Sequence, residues 1–229
     1  MRIESPLWSN ELENKTIFLS SSFPQPERDE RYFETANPLK ITDAVIAVAR
    51  AVFSRKGKLV FGGHPTISPL ILSVGEEFLP FIEKNLPIVY IYQSKYFKTV
   101  ISEYTIKLVE NGIGDKIRWT PAVDNDREKS LALMREKMLG DTDPIAGIFI
   151  GGMEGIEDEF KLFTSFFKNR PIYCIGSVGG ASKILAERIL KNEILLGFEY
   201  KEVTREMLLK FNVYPTLVKA MISDSRGKL

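Results

Sequence analysis

The sequence predicts an α/β fold in which helices cover both faces of a parallel sheet. Short apolar runs alternate with segments of helical period along most of the chain, the pattern of strands joined by right-handed crossovers. Four of those runs lead directly into a turn of Gly, Ser or Thr and then a helix start. In a parallel sheet such turns share one edge, outside the carboxyl ends of the strands, and ligands bind there. The 229 residues and 44% hydrophobic content suit one domain, with a core over about 15–192 and a C-terminal helical extension over 193–229.

The first strand is read at about 15–20, followed by a polar loop with two prolines, Phe23-Pro24-Gln25-Pro26 through Arg31. A helix over about 40–55 follows from Ile41, Ala44, Val45, Val48 and Val52 at helical spacing, and Gly57 ends it. Lys58–Phe61 is the second strand. The next helix runs from about Thr66 to Lys84, with Pro69 in its first turn and Pro80 kinking or ending it. Ile88–Tyr92 is the third strand and about 95–111 a helix stopped by Gly112 or Gly114. Ile117–Trp119 is a short fourth strand, and Asp124 or Asn125 caps a helix reaching about Leu139. Ala146–Ile150 and Ile172–Ile175 are strands, each with a helix after it, over about 155–169 and up to about Asn192. Two amphipathic segments with a break at Pro215 complete a Rossmann-like chain of about five to six strands.

Composition narrows function. The net charge of +1 balances 31 basic against 30 acidic residues, which disfavours a nucleic-acid partner. A single cysteine excludes an intrachain disulfide framework and points to a cytoplasmic setting, and one His with one Cys disfavours a zinc site. Met1 to Asn14 has no apolar leader segment, and no stretch approaches the ~20 apolar residues of a membrane span, so no membrane partner is expected.

The chemistry-bearing residues cluster in the turns. Gly62-Gly63-His64-Pro65-Thr66 can bring backbone close to a ligand, with Thr66 as cap; the alternative is an ordinary turn whose glycines serve dihedral needs. His64, the one histidine, is a group that titrates near neutrality or a structural hydrogen-bonder. Gly151-Gly152-Met153-Glu154-Gly155 runs into Ile156-Glu157-Asp158-Glu159. Its carboxylates suit a helix N-terminus through the dipole, or else ribose hydroxyls and acid-base work; Glu154 and Glu159 are the favoured pair, as catalytic groups if the protein is an enzyme. Gly176-Ser177-Val178-Gly179-Gly180-Ala181-Ser182 looks like a phosphate cradle, yet lacks the P-loop ending; its small residues equally permit close helix–strand packing. Ser20, Ser21 and Ser22 would add a further turn on this edge, and Arg28 or Arg31 would fold over a phosphate or form a solvated ion-paired face. Tyr90, Tyr92 and Gln93-Ser94-Lys95 flank a base or simply pack, and Cys174 is a buried thiol. Acidic helix starts could take magnesium, but their spacing demands no metal.

Phe18-Leu19-Ser20-Ser21-Ser22, Phe61-Gly62-Gly63-His64-Pro65-Thr66 and Gly151 through Glu159 together resemble the SLOG superfamily, which unites Lonely-guy phosphoribohydrolases with Smf-like DNA-processing proteins. The branches associated with TIR domains in bacterial conflict systems look most similar. The resemblance implies sensing or processing of nucleotides, including NAD-derived signals. Lonely-guy enzymes carry Pro-Gly-Gly-x-Gly-Thr-x-x-Glu; here Ile150 replaces the proline, one extra residue separates the glycines, and Ile156 replaces the threonine. With that insertion allowed, Glu159 falls at the glutamate that takes part in N-glycosidic cleavage. The expectation is a sensor of a nucleotide or cyclic ADP-ribose-like signal, with antiphage defence as its setting and N-glycosidic hydrolysis as the alternative. Phosphate would rest on Gly62–Thr66 and Gly176–Ser182, offset by Lys183 or Arg28, and ribose on Glu154. No cofactor beyond a nucleotide-type ligand is implied, and a TIR-domain or other effector, or a homo-oligomer, would take up the output.

Overall fold

The computed structural model describes residues 11–81, 86–201 and 203–226. In chain order they form β1 (Thr16–Ser22), α1 (Glu30–Phe33), α2 (Pro38–Phe53), β2 (Lys58–Phe61), α3 (Ser68–Phe78), β3 (Val89–Ser94), α4 (Glu103–Glu110), β4 (Gly114–Thr120), α5 (Arg127–Thr142), β5 (Ala146–Gly151), α6 (Glu154–Phe166), β6 (Ile172–Ile175), α7 (Gly180–Leu190), α8 (Arg205–Lys210) and α9 (Tyr214–Arg226). The strands make one sheet in the order β4-β3-β2-β1-β5-β6, with every pairing parallel. The fold is Rossmann-like α/β, with helices on both faces and C-terminal helices. Strand order reverses at β1: the chain steps outward through β2, β3 and β4, then returns to lay β5 against β1's other side.

Strand period two divides the core into two layers. Ile17, Leu19, Leu59, Phe61, Ile148 and Ile150 join the cluster that includes buried residues of α2, α3 and α9. Phe18, Val60, Phe149 and Cys174 join the one beneath α5, α6 and α7. There Phe18 stacks on Phe163 at 5.7 Å between centroids and meets Phe149 edge-on at 5.8 Å.

Several boundaries differ from the sequence reading for local reasons. The helix expected over about 95–111 is a 3-10 turn at Lys95–Phe97 and then α4. Between them Thr99-Val100-Ile101 is a β-branched run, which loses rotamer freedom in a helix. Asp124 and Asn125 both take left-handed backbone (φ 49° and 51°), so neither caps α5. Asp126 does, its carboxylate accepting from Lys129 N at 2.9 Å. Pro215 lies in the first turn of α9 rather than at a break, where its missing N–H costs nothing. Pro80 sits in a short 3-10 turn at the end of α3; positions 82–84 of that expected helix, like residues 1–10 of the leader reading, lie outside the described residues. The polar loop after β1 carries the single helical turn α1, whose Tyr32 is buried. The C-terminal helices pack on the sheet's own layers: Leu217, Val218, Met221 and Ile222 are fully covered, and Tyr173 donates to the Met221 carbonyl at 2.9 Å. Burial also pushes the Cys174 thiol pKa well up, so it stays a thiol.

Candidate functional site

β1 and β5 flank the strand-order reversal and stay paired to their last residues, Ser22 and Gly151, and a cleft of about 380 Å³ opens beside their carboxyl ends. This is the topological switch point at which open α/β sheets bind ligands. Its floor is Leu19, Ser21 and Phe61, with Gln93 from β3. One wall is the turn Gly62–Pro65; the opposite wall is the start of α6, from Met153 to Glu159. Leu131, Met134 and Arg135 of α5 close the back, and Phe97, Val100 and Ile101 form an apolar lip.

The β2 turn is shaped for this place. Gly63 has φ +59°, and its carbonyl accepts from Thr105 Oγ1 at 3.1 Å, a hydroxyl itself 2.7 Å from Ser68 Oγ. Thr66 does not cap α3, which begins at Ser68 with no side-chain cap. Thr66 instead holds His64: its N–H donates to Nδ1 at 3.3 Å and its Oγ1 lies 2.9 Å from the same atom. His64 keeps some surface at the cleft, yet desolvation by the surrounding wall, with Arg28 adding, pushes its pKa down to about 4. The imidazole is therefore neutral at neutral pH, rather than titrating there.

At the α6 wall, Glu159 is held by two donors. Ser20 Oγ donates at 2.5 Å and Arg135 Nε at 3.2 Å, with the Asp158 carboxylate 3.7 Å from Arg135 Nη1. The Arg135 and Glu159 side chains are only 11% and 17% exposed, so the pair is shielded from screening. Gly155 makes room for the guanidinium: a Cβ there would lie 3.0 Å from Arg135 Nη2. Glu154 is paired with Arg28, which reaches over from the β1–α1 loop; both are well exposed. Next to them, Tyr32 donates to Glu157 at 2.8 Å beneath the Arg31 guanidinium, 4.4 Å above its ring.

Of the residues singled out in the sequence, Ser21, Ser22, Arg28, Gly62, Gly63, His64, Glu154, Gly155 and Glu159 line this cleft. Ser20 lies behind it on Glu159. Gly151 and Gly152 sit below, with their N–H groups taken by Ser182 Oγ and the Ser22 carbonyl at 2.9 and 2.8 Å. The turn after β6 is elsewhere. Gly180 N donates to Thr35 Oγ1 at 3.0 Å, Ser182 Oγ donates to the Ile175 and Gly179 carbonyls, and Ser177 lies 3.4 Å from the Tyr214 hydroxyl. Lys183 pairs with Glu187 along α7. Tyr90 and Tyr92 face away too, stacked beneath Arg118 near the open edge of the sheet.

Arg135 is the functional group that the sequence reading missed. It occupies one position of the stripe Leu131, Met134, Arg135, Met138 and Leu139, otherwise apolar at helical spacing. An arginine on a core-facing stripe was the available signal. Among the described residues no group of three or more His, Cys, Asp or Glu is placed to hold a metal ion, and no helix is long and apolar enough to cross a membrane.

The profile of the SLOG cluster3 family matches residues 31–208, more than three quarters of the chain. The chain belongs to that family. Membership in the SLOG superfamily points to a nucleotide-related function. The matched span takes in the Gly62 turn, Arg135 and the whole α6 start, whereas Ser20–Ser22 and Arg28 precede it. A search of curated proteins finds no match to this SLOG chain.

Proposed function

We propose that the cleft recognises a nucleotide and that the protein is a sensor of a nucleotide or NAD-derived, cyclic ADP-ribose-like signal. One observation carries this reading: at the switch point a single cleft sets apolar side chains of its lip and back wall against carboxylates. Phe97, Val100, Leu131 and Met134 offer a base a surface to cover, while Glu154 and Glu159 on the facing wall offer acceptors for ribose hydroxyls. SLOG membership supports the same ligand class. The effector end of the reading, a TIR-domain or other partner in antiphage defence, or self-association, rests on the sequence resemblance alone. Differential scanning fluorimetry with AMP, NAD and cyclic ADP-ribose tests it: a saturable rise in melting temperature with at least one compound is expected. Failure of all nucleotides and nucleosides to shift the transition rejects it.

A second reading, hydrolysis of a nucleotide N-glycosidic bond, is favoured by Glu159 and Arg135. A carboxylate fixed in the cleft by Ser20 and a guanidinium is placed to stabilise an oxocarbenium-like centre or activate water. Prolonged incubation with the same compounds, followed by chromatography, separates the readings. Base release abolished by Glu159→Gln establishes the hydrolase; stoichiometric binding without turnover establishes the sensor for the compounds tested.

A further inference from the structure

The α6 wall is poorly suited to an anion although a helix begins there. Glu154 and Glu157 occupy its first turn, and the N–H groups of Gly151 and Gly152 are already engaged. Negative charge at a helix start competes with any phosphate for the same field. The floor and the β2-turn wall differ. Ser21 is 9% exposed, and its Oγ is a buried hydroxyl with no hydrogen-bond partner among the described residues. Its side chain falls on the same face of β1 as Leu19, two residues earlier, and both line the cleft. A buried unpartnered hydroxyl is costly and calls for an explanation.

His64 stands on the β2-turn wall of the same cleft, with its tautomer fixed by geometry. Backbone N–H groups only donate, so the bond from Thr66 N makes Nδ1 an acceptor and places the ring proton on Nε2. Nε2 has no acceptor among the described residues. Arg28 completes the set, lining the same cleft as Ser21 and His64. Its pairing with Glu154 is exposed, and such pairs contribute little, so an incoming anion can exchange into it.

We infer that Ser21, His64 and Arg28 form a phosphoryl subsite on the β2 side of the cleft, in which His64 donates from Nε2 as a neutral imidazole. This rests on the nucleotide reading above and fixes the ligand's direction: phosphate toward the β2 turn, ribose toward α6. Arg28 then transfers from Glu154 to the phosphate, and the released carboxylate becomes free to accept from the ribose diol.

Because the chain has one histidine, nitrogen-15 NMR of this whole 229-residue chain reports His64 without assignment work. The expected spectrum shows Nδ1 unprotonated and Nε2 protonated at pH 7. Saturating AMP shifts Nε2, inorganic phosphate shifts it in the same direction at higher concentration, and adenosine leaves it unmoved. By calorimetry, Ser21→Ala weakens AMP binding by about 3- to 10-fold while changing adenosine binding by less than 2-fold. Nδ1 protonation, or AMP saturation without movement of Nε2, overturns the subsite. If adenosine binds as tightly as AMP, the subsite is wrong while recognition of the nucleoside portion stands. If phosphate moves Nε2 but neither AMP nor adenosine binds more tightly than phosphate, the subsite stands and the nucleotide reading fails.

Discussion

Two pairs of glycines after strands look alike in sequence and do opposite things in the molecule. In Gly62-Gly63 the first glycine opens on the cleft, where a Cβ would meet only the tip of Met134, at 3.3 Å, while a Cβ on Gly63 would lie 3.1 Å from the Thr105 methyl. Gly179-Gly180 is walled in: a Cβ on Gly179 would sit 1.8 Å from the Thr35 carbonyl oxygen, and one on Gly180 2.8 Å from the Gly152 oxygen. Both pairs permit close approach of backbone. At Gly62 what can approach comes from outside; at Gly179 and Gly180 it is the protein's own chain, Thr35-Ala36 and Gly151-Gly152. A glycine turn at the binding edge of an α/β sheet therefore becomes a site only if no connecting segment fills it.

The largest break in this comparison is Gly179→Ala, which combines φ +86° with a collision against backbone. A loss of about 3–5 kcal/mol is expected in chemical denaturation; a loss below about 1 kcal/mol would show the turn is free to move. Next comes Arg135→Ala, which leaves Glu159 with Ser20 alone in a shielded place. Its expected cost is about 2–3 kcal/mol by the same measurement. Tyr32→Phe removes the donor to Glu157 while keeping the ring, and an equilibrium melt should register about 1 kcal/mol. Gly62→Ala should change stability by less than about 1 kcal/mol but weaken ligand binding. Equal destabilisation by Gly62→Ala and Gly179→Ala would abolish the distinction between the two turns.

The gentlest test is pH. The His64 pKa is about 4 in the folded chain and near 6.5 unfolded. Between those values the unfolded chain binds a proton that the folded chain does not, so this contribution is complete above about pH 6.5 and is lost as pH falls toward 4. His64→Gln should flatten denaturation midpoints over that window; an unchanged slope would show that His64 titrates normally.

The fold was legible because its cues are local. Period two in Ile148-Phe149-Ile150, helical spacing from Ile41 to Val52, and a glycine at the end of each motif depend on neighbours within a few residues. The site was legible in part for the same reason: Gly62–His64 and Glu154–Glu159 announce themselves by composition. What the sequence could not convey is which turn would be filled. That depends on Asn37 N reaching the Val178 carbonyl at 2.9 Å and Thr35 receiving Gly180, contacts between segments some 140 residues apart. The phosphate expected at Gly176–Ser182 thus meets a turn already occupied by chain. Arg135 was obscured differently, as one charge inside an apolar stripe whose purpose shows only when α6 lies alongside.

The stitch between Thr35–Asn37 and the turn after β6 makes the binding edge a cul-de-sac, blocked on the β6 flank and open toward β3. On that open side a molecule too long for the cleft would overhang Phe97 and Val100. At that rim a change in side-chain bulk would alter reach without disturbing the sheet.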